Sequence, residues 1–271
     1  MLPREIDGGS MGRLLFLLGL ILAAPSVGQT PPAEITAALG DATLHLPLPA
    51  GYCAIDRGLP EEAALFDGQA QLLQPENELL GIAVACDELT AFRNQKIAFG
   101  HYLEFMATQP GGKPIHRTDA ERSAFLAELA SSMQTLDSAT MEHLANARTQ
   151  QVGITTSVQR TGLIAQDENA AYLASVATYN DVAVENVSAL TLAGGWALSC
   201  NFYSNTPDAG TSAALLDAAK SEARTLIAAN AGSDAPVPTA TKTSDNSWMM
   251  ALAAAIALLA VSGVTYLRRR R

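Results

Sequence analysis

Three cysteines and four histidines are the side chains of this 271-residue chain with the most chemistry to offer. In an oxidising compartment three thiols leave one disulfide and one free cysteine, with three pairings formally open. Cys200 stands between Leu198 and Phe202 at spacing two, on the apolar face of an expected strand, where a free thiol behaves as a small hydrophobe. That leaves Cys53, just after an expected strand, to bond with Cys86 at the end of another. Redox chemistry finds no support, because there is no Cys-x-x-Cys and no basic neighbour in sequence to stabilise a thiolate. His45, His101, His116 and His143 show no metal-ligand spacing with one another or with a cysteine. His101, beside Tyr102 and Glu104 in an alternating stretch, reads as solvent-facing. Gly-x-Ser-x-Gly, the phosphate loop, the dinucleotide fingerprint and Ser-x-x-Lys are absent, so no catalytic residue, metal ligand or cofactor site is assigned. A nucleophile and base assembled from distant positions would leave no such trace.

Smaller features have plain readings. Asp87-Glu88 reads as a solvated loop, Gly111-Gly112-Lys113-Pro114 as a turn, and Asn186-Val187-Ser188 as a glycosylation sequon that matters only if exposed in a eukaryotic host.

The compartment follows from the two ends. Trp248 to Leu267 is a run of 20 uncharged residues followed at once by Arg268 to Arg271. A bilayer core takes about 20 apolar residues in helix, and arginines mark the cytoplasmic side. Residues 248–267 are therefore expected to be a transmembrane helix with 268–271 a cytoplasmic basic stub. At the other end, Leu14 to Ala24 is an apolar run of leader length, preceded by Arg13 and followed by Pro25 to Gly28, which puts the small residues Ser26 and Gly28 at the −3 and −1 positions of a cut after Gly28. Residues 1–28 read as a cleaved signal peptide whose start is Met1 or Met11; the rival is an uncleaved N-terminal anchor. Residues 29–230 then form an exported, periplasmic domain and 231–247, with Pro236 and Pro238, a flexible linker. The lipid bilayer, through the C-terminal helix, and other envelope proteins are the expected partners. A sorting tail cut near Pro236 to Pro238 is the alternative to a permanent anchor.

Charge narrows the field further. Residues 29–247 hold 11 Lys and Arg against 25 Asp and Glu, a net of −14. Such a surface repels phosphate backbones, which excludes nucleic acid as a partner. The remaining choice lies between a non-catalytic interaction or accessory module and an envelope hydrolase or small-ligand binder with a site assembled across the fold.

The elements follow from periodicity. Residues 29–40 look like a lead-in, and Thr43 to Leu48 alternates as a half-buried strand, an edge strand because Pro47 and Pro49 cannot donate to a ladder, that ends near Gly51. Asp56 to Glu78 reads as loop or short helix, Leu79 to Cys86 as strand, Asp87 to Asn94 as a helical turn and Lys96 to Ala107 as extended. Thr118 and Glu121 form a capping box before a helix with Phe125, Leu126, Leu129 and Met133 on one face. Asp137 or Ser138 opens a second helix with Met141, Leu144 and Ala145 inward. Four strands come next, Thr155 to Ala165, Ala170 to Tyr179, Val184 to Ala193 and Trp196 to Ser204, with Gly194-Gly195 as the strongest hairpin signal. Thr211 and Ser212 then open a helix whose stripe is Leu215, Leu216, Ala219, Ala223, Leu226 and Ile227, closing near Asn230 or Gly232. The fold class is α+β: an antiparallel meander with helices packed on one face, plus the one C-terminal transmembrane helix.

The run Gly40 to Tyr52, and Leu190 to Tyr203 with the helix after it, resemble the PsbP-like fold, in which helices flank a twisted sheet and the final strand pair leads into a C-terminal helix. The resemblance covers most of residues 40–230. It implies a mostly non-catalytic, accessory role and brings no catalytic residues with it. The chain also resembles uncharacterised, membrane-anchored exported proteins of proteobacteria.

Overall fold

The computed structural model describes residues 34–95, 98–133, 139, 142, 143, 146, 156–179 and 182–232. The chain divides into Met1–Pro31 and Pro32–Arg271, and every described residue belongs to the second unit. The leader, most of the linker and the span at 248–267 lie outside the described residues. Among the described residues no helix is long and apolar enough to cross a membrane.

The fold is α+β. Strands β1 (Glu34–Leu39) and β2 (Ala42–Pro47) form a separate two-stranded antiparallel sheet. The other seven are β3 (Tyr52–Ala54), β4 (Asn77–Ala85), β5 (His101–Thr108), β6 (Thr156–Gln166), β7 (Ala171–Tyr179), β8 (Val182–Ala193) and β9 (Trp196–Ser204). They make one antiparallel sheet in the order β3-β4-β5-β9-β8-β7-β6. The expected meander is thus β6 to β9, and β9 then pairs with β5 from the first half of the chain. Gly194 and Gly195, at φ 57° and 79°, make the β8–β9 turn, a positive-φ pair that only glycine adopts without strain.

Among the described residues four continuous helices accompany the sheet: α1 (Pro60–Leu73), α2 (Cys86–Gln95), α3 (Arg122–Met133) and α4 (Ala209–Ala229). They do not share one face, which corrects the expectation. Because strand side chains alternate, the sheet has two apolar faces and each needs a cover. Leu65, Phe66 and Leu73 of α1, Leu89 and Phe92 of α2, and Phe125, Leu126, Leu129 and Met133 of α3 meet Ile82, Val84, Tyr102, Met106 and Tyr203 on one face. On the other, Leu215, Ala219, Ala223 and Leu226 of α4 and Leu44 and Leu46 of β2 meet Leu103, Phe105, Leu198, Cys200 and Phe202. Neither periodicity nor capping states which face a helix takes.

Local signals explain most boundaries. Thr118 and Glu121 close the expected capping box ahead of α3. Asp208, rather than Thr211 or Ser212, caps α4 by accepting the Thr211 N–H at 2.7 Å, and Asn230 ends that helix. Pro60 at the first helical position and Glu61 and Glu62 in the first turn start α1, where loop or a short helix is expected. The lead-in is also corrected: from Glu34 onward it is strand, since Leu39 and β2 bury against the second face. α2 is a full ten residues rather than a turn. Of the helix after Ser138, Ala139, Glu142, His143 and Asn146 are helical, and its inward side lies outside the described residues.

Candidate functional site

Cys53 and Cys86 are bonded, with Cα atoms 5.0 Å apart, and Cys200 is free and buried, as the sequence reading has it. The bond ties β3 to the first residue of α2, and the first turn of α2 carries Glu88. Instead of lying in a solvated loop, Glu88 holds the start of β5. Its Oε2 accepts the backbone N–H groups of Gly100 at 2.6 Å and His101 at 2.9 Å, and its Oε1 meets His101 Nδ1 at 2.6 Å. The imidazole Nε2 faces Ser204 Oγ at 3.4 Å across the β5–β9 pair, where His101 and Ser204 are directly opposite. Carboxylate, imidazole and hydroxyl stand in the order used by hydrolytic triads. The next residue in that cross-strand row is Glu185, which accepts the Ser212 hydroxyl of α4. Tyr52 packs edge-on against Phe202, its phenol pushed up to about 12 by burial and then by the Glu88 charge.

The hydroxyl in this row is closed. Ser204 is fully buried, its Oγ accepts the Thr206 N–H at 3.2 Å and lies 3.0 Å from Thr206 Oγ1, and so it shapes the turn into α4. A nucleophile must reach a carbonyl carbon, and this one is covered. His101 is half exposed, with 44% of its side chain accessible, so its solvent-facing reading holds for one edge while Glu88 takes the other.

A second polar cluster lies on the opposite sheet face. Glu104, Asn201 and Ser188 are consecutive partners across β5, β9 and β8, and Tyr203 and Asn186 pair in the adjacent row. The Tyr203 hydroxyl and Gln69 Nε2 of α1 donate to Glu104 Oε2 at 3.2 and 3.4 Å. Asn201 Nδ2 donates to the Glu104 carbonyl at 3.2 Å and to Ser199 Oγ at 3.0 Å. That orientation leaves Asn201 Oδ1 and Gln69 Oε1 as buried acceptors without a partner among the described residues.

The other singled-out residues lie apart from both clusters. His45 Nδ1 lies 3.2 Å from Glu34 Oε1. His116 packs edge-on against Trp196 with ring centroids 4.6 Å apart, and His143 lines a shallow depression with Ala139, Glu142 and Asn146. Gly111 and Gly112 make the expected turn at positive φ. Asn186 of the sequon is buried and donates to the Phe202 carbonyl, so the folded domain does not offer it for glycosylation. Among the described residues no group of three or more His, Cys, Asp or Glu is placed to hold a metal.

Sequence reasoning missed the row Glu88–His101–Ser204, whose members lie 13 and 103 residues apart. The available signal was partial: Ser204 continues the alternation of Cys200 and Phe202, which marks it as inward-facing.

No protein-family model matches the chain, and no curated protein does. The chain is similar to the solution structure of cyanobacterial PsbP (CyanoP) from Synechocystis sp. PCC 6803, at 10% identity over 75% of this chain and 98% of that one, with a TM-score of 0.37. At that identity and TM-score no residue role passes from one chain to the other.

Proposed function

We propose that residues 29–230 are the exported domain of a single-pass membrane protein, held to the bilayer by 248–267 and acting as an interaction or accessory module of the cell envelope. The observation that carries this reading is the Cys53–Cys86 bond, because a structural disulfide persists in compartments outside the reducing cytoplasm. The uncharged run at 248–267 with its four following arginines supports the tether, and the −14 charge of residues 29–247 suits a soluble domain that avoids anionic lipid. A tether raises the effective concentration of the domain near envelope partners. The buried Ser204 hydroxyl favours this reading over turnover.

Cross-linking in intact cells, followed by mass spectrometry, tests it. A reproducible envelope partner attached to a chain that retains 248–267 supports the module, and a chain that ends within 231–247 removes the permanent anchor. The second reading, an envelope hydrolase, draws on the Glu88–His101–Ser204 order. Labelling by a fluorophosphonate that disappears in Ser204→Ala would establish it.

A further inference from the structure

Glu222 lies on the stripe of α4 that faces the sheet, beside Ala219, Ala223 and Leu226. It is 3% exposed, and its Oε1 has no hydrogen-bond partner. The elements under α4 bring few titratable groups to this interface: Cys200 from β9, Tyr172 from β7 with Asp167 on its hydroxyl, and Glu185 from β8, while His45 of β2 is 44% accessible and pairs with the exposed Glu34. Lys220 and Arg224 are the nearest cations on α4 itself. Lys220 lies over the Tyr172 ring, Arg224 is exposed, and among the described residues neither pairs with Glu222. A buried carboxyl with an unpartnered oxygen is tolerable while it keeps its proton and costly once it loses it.

We propose that α4 is a proton-gated cover on the sheet: it lies down while Glu222 is uncharged and lifts when Glu222 ionises, opening the apolar face that holds Cys200, Leu198 and Phe202. Burial pushes the Glu222 carboxyl from 4.5 up to about 8 when α4 is docked. The docked form therefore binds the extra proton between those two values. Its advantage is complete below the lower value and shrinks tenfold per pH unit until it levels off above the upper one. Between pH 6 and pH 8 the equilibrium shifts toward the lifted form by about fifty-fold. The gate depends only on the α4–sheet interface and stands apart from the tethered-module reading.

Cys200 supplies the reporter, being the one free thiol and fully buried under this helix. The experiment is N-ethylmaleimide labelling of the full-length protein and of Glu222→Gln, with the fold of each checked by circular dichroism. Thiolate formation accelerates labelling equally in both proteins, so it cancels in their ratio. The expected result is a wild-type to Glu222→Gln ratio that climbs about fifty-fold from pH 6 to pH 8. A ratio that stays flat overturns the gate. Backbone hydrogen exchange gives the second arm: exchange along α4 should rise with pH after correction for its intrinsic rate, while β4 and β5 keep their protection. Loss of protection in β4 and β5 in step with α4 would mean global unfolding and would also overturn the proposal.

Discussion

Removing the Cys53–Cys86 bond should weaken the domain by an amount set chiefly by chain entropy. The cysteines are 33 residues apart, and closing a loop of that size in the unfolded chain lowers its entropy enough to give about 4 kcal/mol at 25 °C. With a urea dependence of about 2 kcal/mol per molar, the unfolding midpoint of the Cys53→Ser, Cys86→Ser double variant should fall by about 2 M. A local effect should accompany the global one. The bond fixes the N-terminus of α2, and Glu88 in that turn accepts the N–H groups of Gly100 and His101, so those two amides should exchange faster in the double variant even well below the midpoint. Urea titration followed by tryptophan fluorescence and site-resolved exchange measure both effects. A midpoint shift under about 0.5 M, with Gly100 and His101 unchanged, would refute the reasoning, because the loop would then be restricted in the unfolded chain already and α2 held without the bond.

Three further substitutions test the packing. Arg93→Ala should cost about 3 kcal/mol at neutral pH by chemical denaturation, since Arg93 donates to both oxygens of the buried Glu62 at 2.7 and 2.9 Å and its removal strands a carboxylate. Burial pushes the Glu62 carboxyl up, but Arg93 and the Asp56 N–H outweigh it and hold the group below 4.5. The stability that Glu62 lends is thus present above 4.5 and is lost as pH falls through its lowered value, so wild type and Arg93→Ala should converge in acid. Gly195→Ala should cost about 2 kcal/mol, because φ there is +79° and a Cβ would sit 2.8 Å from His116 Nε2 and 3.2 Å from the Arg117 carbonyl oxygen. Asn230→Ala should cost about 2 kcal/mol and raise exchange in β2, because Asn230 accepts the His45 N–H at 2.9 Å and donates to the His45 carbonyl at 2.6 Å, serving β2 as a stand-in for a neighbouring strand. Equal melting temperatures for Asn230→Ala and wild type would show that this clamp adds nothing beyond solvent.

Where one element decides its own form, the sequence is legible. β9 is readable from the alternation that ends in Cys200, Phe202 and Ser204, the β8–β9 turn from Gly194-Gly195, and the start of α3 from Thr118 and Glu121. The disulfide is legible by a weaker route, because the inward position of Cys200 leaves only one pair. What stays hidden is whatever needs a partner. α1 buries Glu62 and Gln69 along with Leu65, Phe66 and Leu73, so its stripe is two-fifths polar and does not announce a helix. β1 alternates with alanines, and only pairing with β2 makes it a strand. Glu62 and Glu222 bring the point to a single residue type. Both are glutamates on the sheet-facing side of a helix, and both are buried. Burial raises the carboxyl of each, yet Glu62 ends below 4.5 and Glu222 at about 8. The difference is Arg93, which sits 31 residues from Glu62 and reaches it only because α2 follows β4 back across the same face. One acid becomes a fixed anchor between two helices and the other a proton-dependent joint, and the spacing of residues within either helix carries no trace of which is which.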